Sequence, residues 1–252
     1  MGLFGSNKPA RRDDSRAVVE EDPGPIDAAA NAFVGKLLDL GIDGIGPVDS
    51  VDEVVAKLRR KHGEDGKGVE AAIKEVVSDH VKKAGVGGFL TGAGGVVTMP
   101  VSLPANVLEF YVLATRMVAS IATLRGYDVT TKGARSAVLL SLVGADADDL
   151  LRKAGLGTVS GMTGSGRLAA MASNRMPRAA AMMINKAVGF RLLTQVGGRA
   201  LTRFVRYVPV AGGIVGAGLD GLLMKRIADH ARSEFTTEAL TGAVLEADGH
   251  TR

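Results

Sequence analysis

Apolar positions repeat every three or four residues along most of the chain, which is the spacing of an α-helix. Val69, Ile73, Val76 and Val77 fall on one such face together with His80, which we interpret as a packing histidine rather than a catalytic base. Helices are predicted over residues 27–40, 51–62, 69–84, 105–124, 132–143, 177–196 and 209–235. The pattern therefore predicts an all-α fold.

Two apolar segments, residues 86–99 and 210–221, are unusually rich in glycine. Each glycine inside a helix costs about 1 kcal/mol relative to alanine, so such a density needs a structural reason. Small residues four apart, such as Gly212 and Gly216, let two helices approach closely. We expect the two segments to pack together as the hairpin-like core of a helical bundle.

Nucleotide binding is a less suitable explanation for these glycines. Gly216, Gly218 and Gly221 match the pattern G-x-G-x-x-G, but no strand–helix–strand context surrounds them. The first segment is not followed by the Lys-Ser/Thr pair that a P-loop requires.

The longest apolar stretch covers residues 86–124, and we place a break at Pro100 and Pro104 because proline disrupts helix interiors. After the break only Glu109 and Arg116 are charged, seven residues apart on one face. They mark either a site or ion pair in low-dielectric surroundings, or a structural salt bridge or solvent-facing strip. A membrane span needs about 20 apolar residues. A shallow, re-entrant hairpin therefore fits better than two spans, and a hairpin buried in a soluble bundle fits equally well.

Charge is distributed unevenly along the chain. Residues 151–219 contain ten Lys/Arg and no Asp/Glu, whereas residues 1–150 contain 17 Lys/Arg and 21 Asp/Glu. Such a basic segment suits an anionic membrane surface or internal pairing with the acidic front half. Nucleic acid is disfavoured, because few aromatic residues are available to stack on bases. The candidate residues for binding an anionic surface are Arg175, Arg178, Lys186, Arg191, Arg199, Arg203 and Arg206.

Composition limits the chemistry. The chain has no Cys and only four His, none at ligand spacing from another, so we expect no metal and no cofactor. No G-x-S-x-G motif is present, and Asp128 with Asp220 is the one carboxylate pair that a hydrolase could use. Three nearby acids are interpreted as helix N-terminal charges rather than metal ligands: Asp146, Asp148 and Asp149.

One helical domain is expected over residues 26–245, preceded by a disordered extension over 1–25 and followed by a frayed tail over 246–252. The start lacks the apolar segment of a signal peptide. It does match the N-myristoylation pattern M-G-x-x-x-S, which leaves lipidation open.

Five blocks, in this order, resemble the bacterial EcsC protein family: GGFLTGAGGVVTMPVSLPAN, RMVASIATLRGYD, LLSLVGADADD, INKAVGFRLLTQVGGRA and VPVAGGIVGAGLDG. The resemblance covers roughly residues 68–236. It implies a possible link to an ABC transporter and no defined chemistry. The polar signature that it implies is Pro104, Arg116, Tyr127, Asp128, Asn185 and Asp220, to which we add Glu109.

These patterns together favour a cytoplasmic protein that associates peripherally, or through a re-entrant segment, with the inner face of the membrane. Its partner would be anionic lipid or a membrane protein complex. A hydrolase that uses the carboxylate pair and a soluble helical scaffold are the alternatives. The oligomeric state is not assigned.

Overall fold

A computed structural model describes residues 24–44, 49–93, 95–144, 147, 150, 167–173, 176–204 and 209–237. Within these ranges the regular elements are all helical, which confirms the all-α prediction. The helices are α1 (Pro25–Leu38), a π-helical turn (Asp39–Asp43), α2 (Val51–His62), α3 (Gly66–Ala93), α4 (Gly95–Leu124), α5 (Lys132–Val143), α6 (Arg167–Ser173), α7 (Arg178–Phe204) and α8 (Pro209–Glu234).

Local sequence signals explain where several of these helices begin and end. Before α2, the Ser50 hydroxyl accepts a hydrogen bond from the Glu53 amide at 3.3 Å, and the Glu53 carboxylate accepts one from the Ser50 amide at 2.8 Å. This reciprocal pair is a capping box, which satisfies amides that have no partner inside the helix. At the start of α5 the Thr131 hydroxyl accepts a hydrogen bond from the Ala134 amide, and α5 ends at Gly144, whose φ is +56°.

The hydrophobic core lies where the second half of α4 and all of α5 meet the surrounding helices. Its largest fully buried side chains include Met117, Ile121, Leu139, Leu140 and Phe235. Helix α5 is buried along nearly its whole length, so it forms the centre of the bundle. The Gly-rich ends of α3 and α8 extend away from this core.

The hairpin turn lies closer to the N-terminus than the prolines predicted. Helix α3 continues past Ala84 to Ala93, α4 begins at Gly95, and the predicted break at Pro100 and Pro104 is wrong. Proline removes one helical N–H group and favours a kink, but neighbouring turns can keep the helix continuous. The boundary between the two helices therefore lies between Ala93 and Gly95.

Helices α3 and α4 form an antiparallel pair, and α8 packs antiparallel to α3. Glu70 near the start of α3 forms ion pairs with Arg125, just after α4, and with Arg232 near the end of α8. At the other end of α3, Gly88 meets Gly216 of α8. The expected contact between the two Gly-rich segments is therefore present.

Backbone contact between α3 and α8 is so close that it leaves no room for a side chain. A Cβ atom added to Gly216 would lie 2.5 Å from the carbonyl oxygen of Gly88, and one added to Gly88 would lie 2.7 Å from that of Gly216. Helices can approach this closely only where both residues are glycine.

Helix α7 packs beside α1 through a similar contact. A Cβ atom added to Gly189 would lie 2.6 Å from the carbonyl oxygen of Ala30, and Lys186 forms a 2.5 Å ion pair with Asp27. Helix α7 runs to Phe204, past the predicted end near residue 196.

Several predictions fall outside the described residues. They concern the N-terminal extension with its myristoylation pattern, the C-terminal tail, Arg175, Arg206 and the three acids Asp146, Asp148 and Asp149.

Candidate membrane-binding surface

Three helix ends that carry no charge meet at one end of the bundle. Residues 84–108 and 207–219 contain no Asp, Glu, Lys, Arg or His. Because α3 and α4 join at this end and α8 runs antiparallel to α3, the charge-free parts of all three helices lie side by side. We call this region the apolar tip and define it as residues 84–93, 95–108 and 209–219.

Large apolar side chains are exposed on the tip and immediately beside it. On α3 they are Val86, Phe89 and Leu90, with exposures of 60%, 46% and 66%, and on α8 they are Leu219, Leu222 and Leu223. Both triplets have the spacing i, i+3, i+4, so each forms one outward face of its helix. Gly88 and Gly216 lie on the inward faces, where the two helices meet, and the large apolar residues of both triplets face outward.

This exposure is restricted to a small part of the molecule. Among the described residues, all large exposed apolar side chains lie on α3, α8 and α7. On α7 they are Met182, Met183 and Phe190. Contiguous exposed apolar surface in a folded protein marks a site of interaction with another protein or with a membrane.

The tip has the length of one membrane leaflet. At a rise of 1.5 Å per residue, its parts on α3, α4 and α8 extend about 15, 21 and 16 Å. The hydrocarbon core of a bilayer is about 30 Å thick, so one leaflet contributes roughly 15 Å. The length of the tip therefore matches the thickness of one leaflet.

Charged side chains surround the base of the tip. Lys82 and Lys83 are exposed on α3, and Glu109 is exposed on α4. Lys83 forms an ion pair with Asp79 one turn further from the tip, at 2.7 Å. An apolar environment around the tip could therefore extend along the bundle only as far as these charged residues.

Among the described residues, one helical stretch is long and apolar enough to cross a membrane, Val107–Leu124 in α4. More than half of this stretch is buried inside the protein, where it forms part of the core. A buried core helix satisfies the same length and composition test, so this stretch is weak evidence for a span.

Arg116 connects α4 to the π-helical turn. Its guanidinium donates a hydrogen bond to the Leu40 carbonyl at 3.1 Å. Burial lowers the pKa of Arg116, and the nearby Asp49 carboxylate opposes this shift. Glu109 is exposed two turns away, and no ion pair between these two described residues is present. Arg116 therefore connects two parts of the fold, and Glu109 faces solvent.

Tyr127 and Asp128 lie at the opposite end of the bundle from the tip. The Tyr127 hydroxyl donates to the Thr236 carbonyl at 2.8 Å, and its ring packs edge-on against Phe235. Burial raises the pKa of Tyr127 to about 12. The Asp128 carboxylate accepts hydrogen bonds from the hydroxyl and amide of Thr130, which lower its pKa. Both residues thus stabilise the turn after α4.

The remaining predicted carboxylate, Asp220, lies far from Asp128. A Cβ atom added to Gly88 would be 2.5 Å from a carboxylate oxygen of Asp220, which places Asp220 beside the tip. Tyr127, the neighbour of Asp128, reaches the far end of α8, about 20 Å away along the helix axis. The structure does not bring the two carboxylates together, so the hydrolase alternative loses its proposed pair.

The candidate cations are in different surroundings. Arg178 is exposed, Lys186 is paired with Asp27, and Arg191 is half-buried. Arg199 and Arg203 belong to the last two turns of α7, close to the start of α8. Internal pairing therefore accounts for Lys186.

Asn185, on the same helix, has a buried Oδ1 atom without a hydrogen-bond partner among the described residues.

His80 is buried in the core, at 3% exposure, as the apolar pattern predicted. Its Nδ1 group donates to the Val76 carbonyl at 2.8 Å, and its Nε2 atom has no hydrogen-bond partner within the described part of the chain. Burial lowers the pKa of His80; the hydrogen bond to Val76 and the negative charge of Asp79 oppose this shift, and the positive charges of Lys83 and Arg116 add to it. His80 is therefore a neutral packing residue.

This burial predicts a pH dependence of stability. The unfolded chain takes up a proton on His80 as the pH falls below about 6.5, whereas the folded protein resists protonation, so the free energy of unfolding decreases. Between pH 7.5 and 5.5 we expect His80 to account for a loss of up to about 1.4 kcal/mol, measured by urea unfolding. The His80→Gln variant should lack this component. An equal loss in both proteins would show that His80 is not its source.

Sequence reasoning missed the extent of the hairpin, which the uncharged run over residues 84–108 could have indicated.

The fold and this surface define an all-α bundle with an exposed Gly-rich helical tip. A sequence model of the EcsC protein family matches residues 67–239, and the chain belongs to that family. No curated protein and no solved structure matches the chain.

Proposed function

We propose that this protein is a membrane-associated protein whose apolar tip enters one leaflet of a bilayer. The observation that carries the proposal is the convergence of three charge-free helix ends, with Val86, Phe89 and Leu90 exposed on α3. Apolar surface in water costs about 25 cal/mol per Å², and burial in hydrocarbon removes this cost. We propose the cytoplasmic face of the inner membrane as the location.

Insertion into one leaflet suits the geometry better than a full span. The tip is helical over residues 84–93, 95–108 and 209–219, so most of its backbone groups are paired within helices, as a hydrocarbon environment requires. The charged residues at its base, Lys82, Lys83 and Glu109, would lie at the headgroup level, where charged side chains remain hydrated. This role requires no chemical reaction, and we assign none.

Vesicle flotation tests the proposal. The full chain is mixed with vesicles of phosphatidylcholine alone, or of phosphatidylcholine with about one third phosphatidylglycerol, at low salt and at about 1 M salt. We expect flotation with both vesicles, and the apolar part of the binding should persist at high salt, because salt screens charges but not hydrophobic burial. Protein that floats with neither vesicle would contradict the proposal. Binding to native membranes alone would instead favour a membrane protein complex as partner.

A further inference from the structure

The exposed face of α3 carries two lysines on the side of its apolar triplet that points away from the tip. All residues of this face are exposed, and their spacing places them on one side of the helix: Lys82, Lys83, Val86, Phe89 and Leu90. The face is therefore apolar toward the tip and cationic toward the base. A helix that meets the boundary between hydrocarbon and headgroups has this arrangement, because its long cationic side chains stay hydrated.

Helix α8 repeats this arrangement although its chain runs in the opposite direction. Its exposed residues follow the spacing i, i+3, i+4, i+7, and they are Leu219, Leu222, Leu223 and Arg226. The arginine continues the apolar face on the side away from the tip. Two antiparallel neighbours thus change from apolar to cationic in the same direction along the bundle. The change is therefore a property of this end of the fold and not of one helix sequence.

Ion pairs leave two cations available at the base of the tip. Lys83 forms an ion pair with Asp79 at 2.7 Å. Lys82 and Arg226 are exposed, and neither has an ion-pair partner among the described residues. Glu109 is exposed on α4 and would repel an anion, so an anion is expected beside α3 and α8.

The change from apolar to cationic lies farther from the tip on α8 than on α3. Distances along both helix axes can be counted from the glycine contact at residues 88 and 216, at about 1.5 Å per residue. On α3, Val86 lies about 3 Å and Lys82 about 9 Å from this contact toward the base. On α8, Leu223 lies about 10 Å and Arg226 about 15 Å from it toward the base. A membrane surface that meets both boundaries is therefore tilted relative to the bundle, and α8 enters it more deeply.

We propose that Lys82 and Arg226 bind the headgroups of anionic phospholipids beside the inserted tip, in a bundle tilted so that α8 lies deeper than α3. An unpaired cation beside apolar side chains matches a phosphate group that is attached to acyl chains. Leu222 and Leu223 reach the acyl chains in this orientation. The inference rests on the proposed function, to which it adds the lipid class and the orientation.

Binding to two kinds of vesicle tests the lipid class. One kind contains phosphatidylcholine alone, and the other contains about one third phosphatidylglycerol. Each cation near an anionic membrane strengthens binding roughly fivefold, so K82Q/R226Q should bind the anionic vesicles about thirtyfold more weakly than wild type. Its binding to phosphatidylcholine should stay within about twofold of wild type, because no headgroup there carries a net charge.

The matched control is R60Q/K67Q, which removes two exposed cations from the far end of the bundle. We expect an effect below about threefold on either vesicle, because these positions lie more than a Debye length from the membrane. Equal losses from the two double variants would overturn the assignment of Lys82 and Arg226. Wild-type protein that binds both vesicles equally would overturn the lipid class while the inserted tip stands, and protein that binds neither would remove both proposals.

Depth measurement on two single-cysteine variants tests the tilt. Residue 83 lies about 8 Å and residue 222 about 9 Å from the glycine contact, so an upright bundle would hold residue 83 at the same depth or deeper. In the tilted bundle, a fluorophore on L222C should be quenched by nitroxides on the acyl chains, whereas one on K83C should remain accessible to an aqueous quencher. Acyl-chain quenching at residue 83 that equals or exceeds that at residue 222 would overturn the tilt.

Discussion

Replacing Gly216 by alanine is expected to lower the free energy of unfolding by about 1–3 kcal/mol, which is the usual range for an overpacked helix contact. The added Cβ atom would lie 2.5 Å from the backbone carbonyl oxygen of Gly88, and a backbone atom cannot rotate away as a side chain can. Helices α3 and α8 would have to separate along their closest contact. Thermal or urea unfolding measures the change, and Gly88→Ala should behave similarly.

Gly218 provides a matched control on the same helix. A Cβ atom added there has no neighbour within 4 Å. Alanine is a better helix former than glycine by about 1 kcal/mol, so Gly218→Ala should leave stability unchanged or raise it. If Gly216→Ala and Gly218→Ala had the same effect, the close approach of α3 and α8 would be contradicted.

The double variant F89D/L90D is expected to abolish vesicle binding and leave the fold intact. Both side chains are about half exposed or more, at 46% and 66%, so carboxylates can replace them without entering the core. A charged residue deep in hydrocarbon costs about 2.5–3.5 kcal/mol on the insertion scale, so even one aspartate should reduce partitioning roughly a hundredfold. Flotation measures binding, and circular dichroism with urea unfolding verifies the fold.

The matched control for this variant is A71D/S78D. It adds the same charge at two exposed positions of the same helix, away from the tip. We expect its binding to stay within about threefold of wild type on phosphatidylcholine, because charges there remain in water. Comparable losses in both double variants would mean that net charge, and not the apolar tip, determines binding.

Short-range signals predicted the fold class and many helix ends. The capping box at Ser50 and Glu53 and the end of α5 at Gly144 depend on residues within one turn, so the sequence is sufficient to find them. The pairing of the two Gly-rich segments was also predictable, because glycine at this density has few other uses inside helices.

The position of the hairpin turn was not predictable from the prolines. Proline weakens a helix locally without always ending it, and α4 continues through Pro100 and Pro104. Which apolar faces stay exposed also depends on tertiary structure. Met182 and Ile184 are equally apolar in the sequence, yet one is 68% exposed and the other fully buried, because α1 and α5 cover only one side of α7.

For the predicted site residues, too, some features were predictable from the sequence and others were not. Arg116, Tyr127 and Asp128 were identified as polar groups in an apolar setting, and each has a hydrogen-bonded role in connecting elements of the fold. Residue spacing could not reveal that Asp128 lies near the C-terminal end of α8, whereas Asp220 lies beside the tip. The proposed binding surface instead follows from the absence of charge in two distant segments that the fold brings together.

Depth measurement on a single-cysteine variant tests the inserted tip most directly. The chain has no Cys, so L90C carries one environment-sensitive fluorophore, and R60C on α2 provides the control at the far end. With vesicles containing nitroxide-labelled lipids, the fluorophore at residue 90 should shift to the blue and be quenched by nitroxides on the acyl chains. The fluorophore at residue 60 should remain in water. A fluorophore at residue 90 that stays as accessible to aqueous quencher as that at residue 60, on vesicles that bind the protein, would contradict insertion of the tip.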